Sequence, residues 1–513
     1  MLSKTIIRKN TYYDSATLMS AGNQIKANPG ILEAVVAMAT EMNKEILAQV
    51  GLADEATQSA QATDFLIAIR AEDEASYNAA LELLEEKLAK GAGASSDSAA
   101  VYKTIQQVAE ERPGTNVALI SLPGNFAARE AMRALKNGMH VMLFSDNVTV
   151  EEERELKEFA SANGLLMMGP DCGTAAINGV GLCFANEVRP GNIGIVAASG
   201  TGLQEVMVQI DHMGGGVAQA LGTGGRDLSE AVGGIMMLDG IKALMEESKI
   251  EVICLVSKPP APVVEEKIFA LLEQTDKPVV VCFLEGSTKR KTKANIHLCT
   301  NLYEAALKSV SLAGIPVKTG CGQTKAKREA EVMAARSLLK PNQKYLRGFF
   351  CGGTLCAESL AILRPRLDGL KSNTSKHAEE AISKQASYTG NILLDMGDDE
   401  FTSGQPHPMI EPALRNDIIE QQGKNPEVGV VLLDFEIGYG SHDNPVGETI
   451  ASIRRAKEEA RSQGRELVFV SYICGTDKDK QNLAEQQALL LAEGVILAGS
   501  NKEAAEIAAD ILA

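Results

Sequence analysis

Two segments of this 513-residue chain repeat one local design. Residues 193–205 read Ile-Gly-Ile-Val-Ala-Ala-Ser-Gly-Thr-Gly-Leu-Gln-Glu, and residues 346–358 read Leu-Arg-Gly-Phe-Phe-Cys-Gly-Gly-Thr-Leu-Cys-Ala-Glu. Each is a short apolar run, a small-residue turn holding Gly-Thr, and the start of a helix with a Glu early in it. An apolar strand that passes through such a turn into a helix is the βα corner of a parallel sheet. The same design makes an anion site. The first turn of a helix has backbone N–H groups without partners and a positive dipole end, and glycine lets a phosphate come close. Two copies suggest a site with two facing helix ends. Ser199, Gly200, Thr201 and Gly202 on one, and Gly352, Gly353 and Thr354 on the other, are the candidate phosphate-binding residues. The competing reading is a plain helix cap in a tight turn. Neither segment is a Walker A loop, because no Gly-Lys-Ser/Thr follows.

The fold class follows from what surrounds these segments. Strands at 116–122, 140–144 and 165–168 alternate with helices at 126–136 and 150–163. A second series has strands at 193–197, 216–221, 252–257 and 279–283, and a third at 346–350, 392–396, 428–435, 466–473 and 495–499. This alternation predicts an α/β protein with parallel, doubly wound sheets and ligand loops at strand C-terminal ends. The alike spacing of the last two series suggests a duplication. Ahead of them, strands at 4–10, 32–38 and 64–70 and a helix at 73–90 predict a small α+β domain. Residues 91–99, Gly-Ala-Gly-Ala-Ser-Ser-Asp-Ser-Ala, read as a linker, and the charged stretch 315–345 ends in a second linker around Pro341. The expected domains are 1–90 (small α+β), 100–190 (Rossmann-like), 191–315 and 345–513 (both flavodoxin-like).

Composition narrows the partners. Hydrophobic residues make up 45%, aromatics 4%, Trp is absent and Gly numbers 46, the texture of α/β enzymes. A net charge of −17 with no basic patch argues against nucleic acid or an anionic membrane as partner. No apolar run reaches the ~18–20 residues that span a bilayer. The N-terminal MLSKTIIRKNTYYDS lacks a signal-peptide core, and nine Cys at irregular spacing form no C-x-x-C. A cytoplasmic location with reduced thiols is expected.

Other residues carry candidate chemistry. In Gly222-Thr-Gly-Gly-Arg226-Asp227, Arg226 could contact a phosphate or carboxylate, and Asp227 is expected to cap the next helix; a structural turn is the alternative. Asp434-Phe-Glu-Ile-Gly-Tyr-Gly-Ser-His442 follows an apolar strand, and His442 is either an acid/base or a hydrogen-bonded turn residue. Asp398 and Asp399 are expected in a solvated turn, so no metal site is predicted. His140, His212 and His377 read as structural, and His297 as a weaker catalytic candidate.

Residues 116–147, Met168-Gly-Pro-Asp-Cys-Gly and 194–205 resemble the α subunit of succinyl-CoA synthetase. Residues 346–358 resemble the C-terminal domain of that enzyme's β subunit. The two portions in one chain behind a small N-terminal domain resemble the FdrA-type acyl-CoA synthetase-like proteins. MATEMNKEIL, MMGPDCGTA, TGGRDLSE, SKPPAP, RGFFCGGTLC and GYGSHDNP occur in that order. The resemblance implies CoA contacts at Pro123, Asn125, Phe126, Ser145 and Asp146, and phosphate between the two Gly-Thr helices.

The chain departs from the ligases in three ways. No Gly-His-Ala-Gly motif follows the strand at 279–283. The loop where the ligases hold their histidine with a Glu reads Ser257-Lys258-Pro259-Pro260, and Lys258 suits a free phosphate or acyl phosphate better. No ATP-grasp domain is recognisable, and hence no nucleotide site. The leading expectation is a subunit of an acyl- or carbamoyl-transferring enzyme, with Lys258, Arg226 and His442 as catalytic candidates. FdrA-type proteins are associated with carbamoyl transfer from oxalurate to phosphate in allantoin catabolism, with companion subunits. The alternatives are a CoA ligase whose ATP site is on a separate chain, and a non-catalytic anion or CoA sensor. A homo-oligomer is expected.

Overall fold

The computed structural model describes residues 2–9, 11, 13, 15–26, 28–61, 63–92, 102–318, 325–384, 388–402 and 405–513. The chain forms two compact units, Met1–Val101 with Thr402–Glu411, and Tyr102–Phe401 with Pro412–Ala513.

In the first unit, Phe65–Ala71 is the centre of a three-stranded antiparallel sheet, between Leu2–Arg8 and Ile31–Met38. Alternation along that central strand sends Phe65, Ile67 and Ile69 into a core with Leu18, Ile25, Tyr77 and Leu84, from helices Ser15–Lys26 and Glu74–Ala92. Leu66 and Ala68 pack on the other face with Leu47 and Leu52. Gly91 and Ala92 close a helix instead of opening the expected linker, and the rest of 91–99 lies outside the described residues.

The second unit holds three sheets. Val117–Ile120, His140–Leu143 and Met167–Met168 form a small parallel one, flanked by helices Gly124–Lys136 and Val150–Ala162. Two larger sheets follow. One has Ile193–Ala197 between Val217–Gly222 and Val252–Ser257, then Val279–Phe283 and Ile296–Leu298. The other has Tyr345–Phe350 between Ile392–Asp395 and Val428–Glu436, then Val468–Cys474 and Ile496–Leu497. In chain order the first parallel core runs 2-1-3-4-5, the flavodoxin-like order; the second carries an extra parallel edge strand, Lys371–Ser372, beside Ile392–Asp395 and otherwise has its five strands in the same order, and each places a crevice at the C-terminal end of its first strand.

Three local features depart from the sequence reading. Residues 174–183, expected in the 100–190 domain, form a hairpin that pairs antiparallel with Val217–Gly222. The charged stretch 315–345 contains a helix, Lys325–Leu338, whose Arg328 pairs with Glu506 at 2.9 Å and Asp510 at 2.8 Å. Asp227 does not sit at the N-cap of helix Ile235–Glu246, which is Gly234; it reaches that helix by accepting from Met236 N and Met237 N. Helices Gly200–His212, Leu302–Leu312, Gly353–Leu363 and Asn501–Leu512 supply one apolar core common to both larger sheets. Among the described residues, no helix is long and apolar enough to cross a membrane.

Candidate functional site

The two Gly-Thr turns meet. The fully buried strand Ile193–Ala197 feeds helix Gly200–His212 through Ser199, whose Oγ caps the helix by accepting from Gly202 N at 2.9 Å. Tyr345–Phe350 feeds helix Gly353–Leu363 through Cys351 and Gly352. Ser199 Oγ and Thr354 Oγ1 share a hydrogen bond of 2.6 Å, and Thr354 N donates to Thr201 Oγ1 at 3.4 Å. A Cβ on Gly202 would stand 2.9 Å from Thr354 Cγ2, so glycine is what permits this approach. Two positive helix ends at contact repel, and the site needs negative charge between or beside them.

Some of that charge comes from strand ends in the second half. Asp434 and Glu436 are two apart on Val428–Glu436 and share a face. Asp434 accepts from Cys351 N at 2.7 Å and Gly352 N at 2.8 Å, and buried Arg415 adds an ionic contact at 3.2 Å. Glu436 has no such support. It is 2% exposed, and the polar group beside it is the Asp434 carboxylate. Burial, and then the charge of Asp434, push its carboxyl well above the usual range, so it is a neutral acid able to share its proton with Asp434. With Cys351 these are the one group of such atoms converging within 4.8 Å among the described residues. Because Asp434 is already spent on two N–H groups and Arg415, the arrangement suits a shared proton and not a metal ion.

Gly352 lies between this pair and the first helix. A Cβ there would stand 2.9 Å from Glu436 Oε1 and 3.1 Å from Thr201 Cβ. Asp395, the last residue of its strand, lies against Gly353, where a Cβ would collide with its Oδ2. Burial raises the Asp395 carboxyl to about 7, opposed by the positive charge of Lys258 from the first half. The structure thus brings Ser199, Thr201, Gly352, Gly353, Thr354 and Lys258 into one neighbourhood. Asp395 and Glu436 join them although the sequence reading gave them no role. Their signal was a carboxylate closing an otherwise apolar strand, in Ile-Leu-Leu-Asp395 and Leu-Leu-Asp-Phe-Glu436.

The remaining candidates lie elsewhere. Arg226 is committed to Glu153 at 3.0 Å and to Val148 O at 2.8 Å, beside buried Lys157, which bonds Glu153, Thr223 O and Asp227. This network ties helix Val150–Ala162 to the 223–227 loop, so Arg226 is not a free charge at the cradle. His442 Nδ1 accepts from Asn444 N at 3.0 Å in the turn before helix Pro445–Ser462, the contact that the turn reading expects. Asp398 accepts from Glu400 N at the start of the short helix Asp399–Thr402. His140 Nδ1 accepts from Leu166 N, a structural role, and His297 sits on the edge strand Ile296–Leu298.

The early Glu residues of the two helices are not cradle acids. Glu205 and Glu358 each fall five positions after the first helical glycine. Glu205 accepts from Asn501 N at 3.4 Å, and Glu358 from Leu302 N at 2.7 Å and Asn501 Nδ2 at 2.7 Å. Each therefore serves the N-terminus of a helix in the other half.

The expected CoA segment forms a separate corner. Helix Gly124–Lys136 starts after Pro123 with no side-chain cap, Ser145 Oγ accepts from Leu122 N at 2.9 Å, and Leu119, Leu122 and Phe126 are exposed.

Comparison with known proteins gives matches along the chain. Residues 1–104 match a family described as AllF, heavy metal-associated domain; residues 188–286 match one described as CoA binding domain; residues 349–511 match one described as CoA-ligase. The CoA binding match falls on the first large sheet, and Pro123, Asn125, Phe126, Ser145 and Asp146 lie outside it. The chain is 44% identical over 512 residues to the uncharacterized protein YahF of Escherichia coli (strain K12), covering 100% of this chain and 99% of that one. It is 27% identical over 233 residues to the succinate–CoA ligase [ADP-forming] subunit alpha of Methanothermobacter thermautotrophicus, 45% of this chain and 72% of that one. Among solved structures, a dinucleotide forming acetyl-coenzyme A synthetase 1 of Ca. Korarchaeum cryptofilum aligns over 80% of this chain and 84% of its own, at 14% identity and a TM-score of 0.31.

Proposed function

We infer a function from one premise: the chain belongs to the FdrA-type acyl-CoA synthetase-like proteins of the succinyl-CoA synthetase superfamily. It is a CoA-ligase-like α/β protein. Our reading is that phosphate binds between helices Gly200–His212 and Gly353–Leu363 and exchanges an acyl group with the substrate, a carbamoyl group being what the FdrA-type resemblance implies. Companion chains would complete the reaction. The observation that carries this is the meeting of two positive helix ends through Ser199 and Thr354. A bound phosphate relieves their repulsion, and Lys258 adds a cation. The absence of the Gly-His-Ala-Gly sequence motif favours transfer to free phosphate over a phosphohistidine relay.

A second reading, CoA ligation with ATP handled by another chain, rests on the exposed Leu119, Leu122 and Phe126 around the uncapped start of helix Gly124–Lys136. Such a corner offers N–H groups to a phosphate and apolar surface to a base or pantetheine arm. A thermal-shift series separates the two. A ligand at 100 times its Kd stabilises the native state by about 2.7 kcal/mol. Stabilisation by phosphate or carbamoyl phosphate, and not by CoA or ATP, is expected from the transferase. Stabilisation by CoA without phosphate favours the ligase.

A further inference from the structure

We propose that Asp395 is the proton-transfer group of the cradle. It takes the proton from the phosphate oxygen as that oxygen attacks the acyl carbon, and returns it to the departing heteroatom. This rests on the phosphate-transfer reading above. One C–O bond forms, one bond from the acyl carbon to the leaving nitrogen or sulfur breaks, and the proton passes from phosphate oxygen to that atom. No oxidant or reductant enters.

Three observations converge on Asp395. It closes strand Ile392–Asp395 at the sheet's ligand-binding end, with Oδ2 against Gly353, the first residue of the second helix. Anything held at that helix start is therefore beside this carboxyl. Second, the same wall carries another buried carboxyl, Glu436, whose Oε1 lies 2.9 Å from where a Gly352 Cβ would stand, so the second helix starts between two strand-end acids. Third, the groups around Asp395 hold it near neutrality. Burial disfavours its ionised form, as do the charges of Asp398 and Asp434, while Lys258 and the Gly397 N–H favour it, and the thiols of Cys351 and Cys356 stay protonated in their buried positions. A group poised close to the working pH is the efficient proton carrier. Neither His442 nor Arg226 meets these conditions.

The test is proton linkage in the full-length protein. Inorganic phosphate is titrated calorimetrically into the wild type and Asp395→Asn near pH 7, in buffers of different protonation heat, giving the protons taken up on binding. An anion beside Asp395 favours its protonated form, so the wild type takes up more protons than the variant. Phosphate also titrates near pH 7, and in the wild type its protons are linked to those of Asp395, so the difference between the two proteins reports the pair. Equal uptake in the two proteins, with binding retained, overturns the assignment while leaving the phosphate site standing. Failure of both proteins to bind phosphate overturns the cradle reading and this proposal with it. Lys258→Met is the second variant, in case the asparagine protein does not fold. Without the lysine charge, Asp395 titrates at higher pH, and the maximum of proton uptake moves up with it; an unmoved maximum counts against the proposal.

Discussion

At the scale of single residues, the cradle depends on atoms that are missing. Gly202 and Gly352 let two helix starts approach until Ser199 and Thr354 share a hydrogen bond. Gly202→Ala places a methyl 2.9 Å from Thr354 Cγ2. Overpacking of this kind costs about 1–3 kcal/mol, and chemical denaturation should register it together with loss of phosphate stabilisation. Charge at single residues also sets a pH dependence. Asp395 is raised by burial from 3.8 to about 7, and Glu205, by burial and then by Glu358, from 4.5 to about 8. Over those intervals the folded state binds more protons than the unfolded chain, so stability falls as pH rises. Urea midpoints should decline from pH ~5 to pH ~8, and Asp395→Asn and Glu205→Gln should each flatten that decline. A stability that rises over this range would contradict both shifts.

At the scale of elements, helix ends are satisfied across the two halves. Glu358, on helix Gly353–Leu363, accepts from the first N–H of Leu302–Leu312. Glu205, on Gly200–His212, accepts from the first N–H of Asn501–Leu512. Glu358→Ala leaves Leu302 N and Asn501 Nδ2 buried without this acceptor, at about 1–3 kcal/mol. Glu358→Gln keeps an oxygen and should cost less. Thermal unfolding of the pair measures the difference, and equal losses would exclude a hydrogen-bonding role. Helix Lys325–Leu338 shows the same principle on a surface. In sequence it is part of a charged stretch that ends at the linker around Pro341, and in the structure Arg328 and Arg336 bond the C-terminal part of Asn501–Leu512, where cations are favoured.

At the scale of the whole molecule, two sheets with five strands in a common order share one apolar core, and their first βα corners face each other. Such a core predicts joint unfolding. Leu355, fully buried there, is a probe: Leu355→Ala should cost about 2–5 kcal/mol. Hydrogen exchange at Ile193–Ala197 and at Val468–Cys474 should then loosen together. Loosening confined to the second strand would mean that the halves unfold independently. The cradle is likewise shared property. Thr201→Val with Thr354→Val should remove the phosphate-induced rise in Tm while far-UV ellipticity stays that of the wild type; an unchanged rise would move the anion elsewhere.

Strands, helices and the βα corners were written locally. A buried strand is an apolar run, a helix start is a small or hydroxyl residue, and both are visible over a few residues, as at Ser199-Gly-Thr-Gly. That is why the α/β class, the repeated series and the paired Gly-Thr turns could be read from the chain alone. Tertiary structure decided which side chains keep a free charge. Arg226 looked available but is held by Glu153, and His442, which read equally as an acid/base or a turn residue, bonds within its own turn. Asp395 and Glu436 looked like strand ends but face the cradle. Electrostatic role depends on burial and on partners far along the chain, as with Lys258 and Asp395, and no local spacing encodes either.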